Sequence, residues 1–436
     1  MNSFKKTLFV CALLIGGFFA TAPQAHADAV TDWNEIAVAA ATTGRPGPPG
    51  IVDIALVQVA VHDAVQAIEG RYEPYFAEVA NARGRRSAAV AAAAHGVLAG
   101  IYPTQAGALE STYVQYLAAH GLTGDPGIGV GEQVAVAVLP LRRADPNPLP
   151  PPFIGGTEPG RWRPTESFLG NPPAPPSFSP MAAPWMGSFD PFTLTSPRRF
   201  RAAPPPEMDS ARYTRDFNEV KAMGSLNSTA RGAEQTDIAY FYSENFLAQW
   251  NRALRAIAVQ KLRRTGDSAR LFALANMAGA DAIITSWDSK VHYVFWRPLT
   301  AIREAAMDDN PDTEPDPAWQ PLINNPNYPD YTSGANNITG AMMRTLALYF
   351  GTDRVTFEVT SNAPLAVKKA RVYRRFSAAA DDVVNARIWL GIHFRFADLA
   401  ARTQGQNVAD WVVGHFLLPV DREEHHDRDT WDDLDD

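Results

Sequence analysis

Apolar residues recur at helical spacing along most of the chain, and proline, glycine and asparagine interrupt them. Recurrence at three and four residues predicts amphipathic helices, whereas strict alternation over several residues would predict strands. No succession of alternating segments is present, so the pattern predicts an all-α fold of helical bundles. The predicted helices cover residues 48–70, 87–101, 105–119, 131–143, 209–223, 231–264, 267–297, 335–350, 364–390 and 393–417.

One long stretch breaks this pattern. Between residues 144 and 208 proline recurs every few positions, and Trp162, Trp185 and Phe192 lie among the prolines. Proline removes a backbone donor and fixes φ, so this stretch can be neither a long helix nor a central strand. Because the aromatic side chains need apolar surroundings, an ordered segment wrapped around the bundles is favoured over a free linker.

The N-terminus has the features of a secretory signal peptide, predicted over residues 1–27. Lys5 and Lys6 precede an apolar run from Leu8 to Ala20, and Ala25-His26-Ala27 forms an A-x-A cleavage site. The alternative is a buried N-terminal helix. The signal peptide predicts a secreted or periplasmic protein after cleavage near Ala27. The apolar run is too short for a stable membrane anchor, and we expect none elsewhere.

Charge and composition narrow the function classes. Hydrophobic residues make up 46% of the chain, which is enough for a large core, and the single cysteine excludes a disulfide scaffold. The net charge of −8 argues against nucleic acid as a partner. Much of it lies in residues 421–436, predicted to be a solvated acidic tail. The predicted organisation is a signal peptide (1–27), an N-terminal helical region (28–143), a Pro-rich irregular segment (144–208), a C-terminal helical bundle (209–420) and the tail.

The first candidate for chemistry is a pair of cations in an apolar segment. Lys290 and Arg297 are seven residues apart, which is about two turns if the segment is one helix, so we expect them on one face about 10 Å apart. Buried cations are costly without an anion, which indicates an oxyanion site. The alternative is that both side chains reach the surface or pair with carboxylates.

Two further motifs supply groups that suit an anion. Ser333 and Gly334 precede an apolar helix, where a hydroxyl and free backbone N–H groups can bind a tetrahedral anion, although a plain N-cap has the same sequence. Gly391 can end a helix that carries Arg387 and place His393 at the start of the next. An imidazole there can attack an anion or ligate a metal oxide, and the alternative is a structural histidine.

The order of these motifs, K-x6-R-P, then S-G before a helix, then R-x5-H, resembles the superfamily of vanadium-dependent haloperoxidases and type 2 phosphatidic acid phosphatases. The segments HDAVQAIEGRYEPY (62–75), GRWRPT (160–165), FNEVKAMGS (217–225) and 268–304 are similar to its soluble haloperoxidase-like branch. The resemblance covers roughly residues 50–417.

The resemblance implies specific roles. Lys290, Arg297 and Arg387 would hold the oxygens of vanadate, or of phosphate as the alternative ligand, and Ser333 with the Gly334 N–H would add hydrogen bonds. His393 would ligate vanadium, or attack phosphorus in a phosphatase. These residues are the predicted catalytic and cofactor-binding set, with His393 as the metal ligand.

The sequence departs from the family pattern at two positions. The second motif of the family reads S-G-H, and its histidine is the general acid–base, but Ala335 stands there in this chain. A methyl group cannot transfer a proton. Many members also carry an aspartate four residues after the last histidine; here that position is Ala397 and Asp398 follows it. The anion-binding set is therefore complete, and the proton-transferring groups are not.

Three functions remain open at this stage. The first is an exported haloperoxidase that uses hydrogen peroxide and halide and has altered proton handling. The second is a phosphatase that acts on a phosphoester with His393 as nucleophile. The third is a non-catalytic protein that binds phosphate or vanadate. A homo-oligomer is compatible with all three.

Overall fold

The computed structural model describes residues 28–142, 153–166 and 180–420, and helices dominate all three ranges. The all-α prediction is confirmed. The predicted signal peptide and acidic tail lie outside the described residues. The helices are α1 (Ala29–Gly44), α2 (Pro48–Glu69), α3 (Arg86–Ile101), α4 (Ala106–Ala119), α5 (Gly127–Val138), α6 (Ala211–Gly224), α7 (Ala233–Phe241), α8 (Phe246–Lys261), α9 (Thr265–Tyr293), α10 (Pro298–Arg303), α11 (Gly334–Tyr349), α12 (Phe376–Trp389) and α13 (Arg395–His415).

Two long helices form the centre of the molecule. Helix α2 begins at Pro48 and ends before Gly70, which adopts the left-handed conformation that glycine favours at a helix end. By length and composition α2 could cross a membrane, but 89% of its apolar window is buried inside the protein. It packs against α9. Its apolar character is therefore that of a core helix.

The largest group of buried apolar side chains includes residues from both ends of the chain. Trp33 of α1 and Leu417 after α13 belong to the same group. A buried hydrogen bond of 2.9 Å from Asn34 to Asn251 also joins α1 to α8. The N-terminal helices consequently share a core with the C-terminal helices that carry the predicted site.

The described parts of the Pro-rich segment lie against this core. Trp162 and Phe192 are buried, and Trp185 is half-buried. The backbone N–H groups of Phe192 and Thr193 donate to the buried carboxylate of Asp281 on α9, at 2.6 and 2.8 Å. These bonds attach the segment to the central helix.

Several helix predictions are corrected by the structure. Helix α1 was not predicted. The predicted helix 231–264 is two helices, because Asn245 caps the start of α8 with its side chain. The predicted helix 364–390 begins only at Phe376. Before it, strand β1 (Phe357–Thr360) pairs antiparallel with β2 (Ala370–Tyr373), where β-branched and aromatic residues lie on a partly exposed surface.

Candidate oxyanion site

Side chains from five parts of the C-terminal bundle converge on one buried region. Lys290 lies in the last turn of α9, Arg297 precedes α10, and Ser333 precedes α11. Arg387 lies in the last turn of α12, and His393 lies in the short connection to α13. All five are buried.

The predicted helix through Lys290 and Arg297 is wrong. Helix α9 ends at Tyr293, and Val294 takes a left-handed backbone conformation (φ 51°). Arg297 is extended and forms the N-cap position of α10, whose first residue is Pro298. A residue before proline is disfavoured in the helical region, which explains the break. The two cations still meet, because the chain turns back and places both beside the ring of Tyr328, at 4.9 and 4.7 Å from its centroid.

Backbone carbonyl groups hold both cations in place. The Lys290 ammonium donates to the carbonyl oxygens of Pro329 (2.6 Å) and Asp330 (3.1 Å). The Arg297 guanidinium donates through Nε to Tyr328 O (2.8 Å) and through Nη1 to Ile392 O (2.6 Å). Its Nη2 has no partner among the described residues. The loop before α11 thus fixes the two side chains and leaves one guanidinium nitrogen free to donate.

Both ring nitrogens of His393 have a hydrogen-bond partner. Its Nδ1 lies 2.6 Å from Oδ1 of Asp330, which assigns the ring proton to Nδ1, and its Nε2 accepts from Arg297 Nη1 at 3.2 Å. Burial, followed by the charge of Arg297, lowers the pKa of His393 well below its usual value. The imidazole is therefore neutral near pH 7, with the Nε2 lone pair directed toward the cations.

The last cation is anchored more loosely. Arg387 Nη1 makes a long 3.4 Å hydrogen bond to Tyr242 O, and Nε has no partner among the described residues. Burial lowers the pKa values of Arg387, Arg297 and Lys290, because no bulk water stabilises their charges. Three buried cations near one another favour an anion between them.

The start of α11 adds hydroxyl and backbone donors. Ser333 occupies the N-cap position, yet its side chain does not cap the helix, and its Oγ has no partner of normal geometry among the described residues. The Ser333 hydroxyl is therefore not used to cap α11 in this structure. The first N–H groups of a helix, here beginning with Gly334, have no acceptor within the helix and suit an anion.

Unpartnered buried polar atoms test whether these residues fit vanadate or phosphate. Such atoms are costly unless a ligand or water satisfies them. Oxygens of a four-oxygen anion would accept hydrogen bonds from the arginine nitrogens and from the Ser333 hydroxyl. A protonated oxygen of the anion would donate to the carboxylates. The residues fit this group. Within the described site these atoms include Arg297 Nη2, Arg387 Nε, Ser333 Oγ, Asp330 Oδ2, Asp398 Oδ2 and Asn336 Oδ1.

Sequence reasoning missed Asp330. This carboxylate precedes Ser333 by three residues and is completely buried. Burial raises its pKa to about 7, although Arg297 and Lys290 oppose the shift. The displaced Asp398 does not orient His393 in this structure, because Asp330 does so. An acidic residue in a stretch that leads to the S-G motif was the available signal.

Asp398 and Asn336 form a second polar cluster near Ser333. Asn336 Nδ2 donates to Asp398 Oδ1 at 2.7 Å, and both side chains are buried. Ala335 lies between Ser333 and Asn336 and contributes no polar side-chain atom. His292, near Lys290 in sequence, is exposed and does not join the site. Among the described residues no cluster of histidine, cysteine, aspartate or glutamate could hold a metal cation.

Together, the helical fold and the buried cations around a neutral histidine are the features expected of an oxyanion-binding site. Residues 270–421 match the family model of the second helical-bundle domain of vanadium chloroperoxidase. The vanadium chloroperoxidase of Curvularia inaequalis is 28% identical over half of this chain and 46% of its own length, so the chain spans about half of that relative.

Solved structures share the fold. One described as the first bacterial vanadium-dependent iodoperoxidase aligns with a TM-score of 0.73 and 23% identity over 90% of this chain and 97% of its own. A holo-type bacterial vanadium-dependent chloroperoxidase aligns with a TM-score of 0.67 and 16% identity over 90% and 93%. The family-model match and the vanadium chloroperoxidase relative support the superfamily that the motifs predicted, and the solved structures show that the fold is shared. The roles of the individual site residues remain predictions.

Proposed function

We propose that this protein binds vanadate at the candidate oxyanion site and oxidises halide with hydrogen peroxide after export from the cell. The observation that carries the proposal is the convergence of Lys290, Arg297 and Arg387 on His393, with unpartnered donors on both arginines. Export rests on the signal-peptide pattern of residues 1–27.

The side chains of the site would have different roles in binding the anion. Arg297 Nη2, Arg387 Nε and the Ser333 hydroxyl would donate to oxygens of the anion. The Nε2 lone pair of His393 would serve as the ligand, which requires it to give up its 3.2 Å hydrogen bond with Arg297. Bound vanadate would supply the activation of peroxide toward halide.

Asp330 would keep His393 in the neutral tautomer that a ligand histidine needs, with the lone pair on Nε2. A ligand nitrogen must carry a lone pair, and the 2.6 Å contact holds the proton on the opposite nitrogen. Burial and the neighbouring cations also keep the imidazole neutral. The carboxylate and the histidine therefore act as one unit.

Phosphatase activity is the second candidate, and the same Asp330–His393 contact supports it. A neutral imidazole that is oriented by a carboxylate is a suitable nucleophile toward phosphorus. Bound vanadate would resemble the transition state of phosphoryl transfer, so one set of donors could serve both reactions.

The test uses the purified full chain and three assays. Calorimetry with orthovanadate and with phosphate measures binding, bromination of a phenol dye with vanadate, peroxide and bromide measures haloperoxidase activity, and hydrolysis of a phosphomonoester measures phosphatase activity. We expect vanadate binding and bromination. Binding without either reaction would support a non-catalytic anion-binding protein, and no binding of either anion would overturn the proposal.

A matched pair of variants ties the result to the site. Arg387→Ala removes an unpartnered donor and one long hydrogen bond, so we expect vanadate affinity to fall about 10- to 100-fold, as for one charged hydrogen bond. Arg344→Ala removes an exposed arginine that pairs with Asp410, and it should leave affinity unchanged.

A further inference from the structure

We propose that Asp398 carries the proton at this site and shares it with an oxygen of the bound oxyanion, in place of the imidazole that Ala335 cannot supply. The inference rests on the proposed anion binding, but it goes further by assigning a role to a residue that departs from the family pattern. The proposed step transfers only a proton, and solvent supplies that proton to Asp398.

The position of Asp398 supports this role. It lies in the first turn of α13, is fully buried, and reaches the start of α11, where Asn336 donates to its Oδ1 at 2.7 Å. The Asn336 bond fixes the plane of the carboxyl group. By distance and angle, neither its Oδ2 nor the neighbouring Ser333 Oγ makes a hydrogen bond among the described residues, although Ser333 lies close enough to Asp398 to lower its pKa. One oxygen of the carboxyl group is therefore available to an anion that Ser333 contacts.

The charged groups around Asp398 come from several elements. The charge of Asp398 affects the pKa values of Lys290, Arg297 and Arg387, and the charge of Asp330 affects the pKa of Asp398. A fourth cation, Arg395, also feels the charge of Asp398 but is bound to Glu219 through two hydrogen bonds of 2.7 and 2.8 Å. Asp398 thus interacts electrostatically with all three residues that would hold the anion.

Burial makes a proton on Asp398 favourable. It raises the pKa of this carboxyl group to about 8, with the charge of Asp330 adding to the effect and Ser333, Arg387 and Asn336 opposing it. A carboxyl group that holds its proton near neutral pH can donate it to an anion oxygen and recover it from solvent. An added anion would favour the protonated form further, since it brings negative charge close to the carboxyl group.

The other groups at the site are less suited to this task. Two donors of Lys290 are bound to carbonyl oxygens, and arginine does not deprotonate near neutral pH. The proton between Asp330 and His393 is used to orient the ring. The hydroxyl of Ser333 does not titrate in this range.

Sulfate is the suitable probe, because its own protonation does not change between pH 6 and 9. Any proton taken up when sulfate binds is therefore taken up by the protein. Calorimetry of sulfate binding in two buffers with different ionisation enthalpies counts the protons taken up. For the wild-type protein we expect uptake approaching about one proton per sulfate at pH 9, and affinity that falls about tenfold per pH unit above the pKa of Asp398. Competition by phosphate confirms that sulfate occupies the same site.

The variant Asp398→Asn keeps the shape and a hydrogen-bond donor but cannot titrate. We expect it to bind sulfate at pH 9 with no proton uptake and with little pH dependence. Asp63→Asn is the matched control, a buried carboxyl group on α2 outside the site that is changed in the same way, and we expect it to retain the uptake seen at pH 9. Uptake that persists in Asp398→Asn would overturn the inference, as would its loss in Asp63→Asn.

A second measurement covers the case in which Asp398→Asn fails to fold. Difference infrared spectroscopy of the wild-type protein at pH 9, with and without sulfate, should show a gain of a protonated carboxylic acid band. Absence of that band would overturn the inference. If neither sulfate nor phosphate binds the wild-type protein at all, the proposed anion site itself fails, which is a different result from binding without proton uptake.

Discussion

The carboxylate of Asp330 lies 2.6 Å from Nδ1 of His393, and both side chains are buried although 63 residues separate them in the sequence. The contact fixes the tautomer and the orientation of the ring whose other nitrogen faces Arg297. A neutral amide in place of the carboxylate would lose the charged half of this hydrogen bond.

We therefore expect Asp330→Asn to weaken vanadate binding about 10- to 100-fold, the usual effect of removing an outer hydrogen-bond partner of a ligand histidine. Titration calorimetry with orthovanadate measures the change. Asp410→Asn, which alters an exposed ion pair with Arg344, is the control and should bind as the wild-type protein does. Unchanged affinity in Asp330→Asn would show that the ring is held by other contacts.

The missing histidine can be restored. If Asp398 carries the proton, Ala335→His should change bromination only slightly in the wild-type background but should raise it at least about tenfold in the Asp398→Asn background, since one general acid typically contributes 10²- to 10⁴-fold. The four proteins form a double-mutant cycle, measured as bromination rates at saturating vanadate. Equal gains in both backgrounds would mean that the two groups act independently.

Gly391 sets the turn between Arg387 and His393. It has φ +79°, and an added Cβ would approach the carbonyl oxygen of Gly224 too closely. We expect Gly391→Ala to destabilise the protein through both backbone strain and this contact, by about 1–3 kcal/mol more than a strained position in open space. Gly351→Ala provides that comparison, because its φ is +66° and nothing lies within 4 Å.

Urea unfolding of the two glycine variants measures the difference. Because the turn also places His393, Gly391→Ala should lose anion affinity and Gly351→Ala should not. Equal stability of the two would contradict the crowding at Gly391.

His62 on the central helix α2 predicts a pH dependence of stability. Burial lowers the pKa of this histidine to about 4 from its usual value of 6.5, and Nε2 donates to Glu73 O at 3.0 Å. Between pH 4 and pH 6.5, His62 binds a proton in the unfolded chain but not in the folded protein. The contribution of His62 to the free energy of unfolding is therefore fully present above pH 6.5 and falls as the pH drops toward 4. The contribution amounts to about 3 kcal/mol over the full interval.

Chemical denaturation at pH 7, 5.5 and 4.5 on the wild-type protein and His62→Gln measures this dependence. The difference in unfolding free energy between the two proteins should shift in favour of the variant as the pH falls. Comparing the two removes the contribution of neighbouring carboxyl groups such as Asp63, which are common to both. A constant difference would show that His62 titrates normally in the folded protein.

The sequence by itself determined the fold class and indicated most residues of the candidate site, but not Asp330. Helical periodicity and the positions of proline and glycine are local properties, so α2, α9 and α11 were predicted within a few residues. The residue types in the three motifs indicated an oxyanion, because cations that are buried in apolar segments are costly without an anion.

The tertiary structure decided which groups act on one another. Proline at position 298 ends the helical path between Lys290 and Arg297, and the loop that carries Tyr328 and Asp330 then brings the two cations together again. Asp330 became the partner of His393, and Asp398 faced Asn336, through packing of α11 against α13. Such pairings join residues more than sixty positions apart, and local periodicity carries no information about contacts of that range.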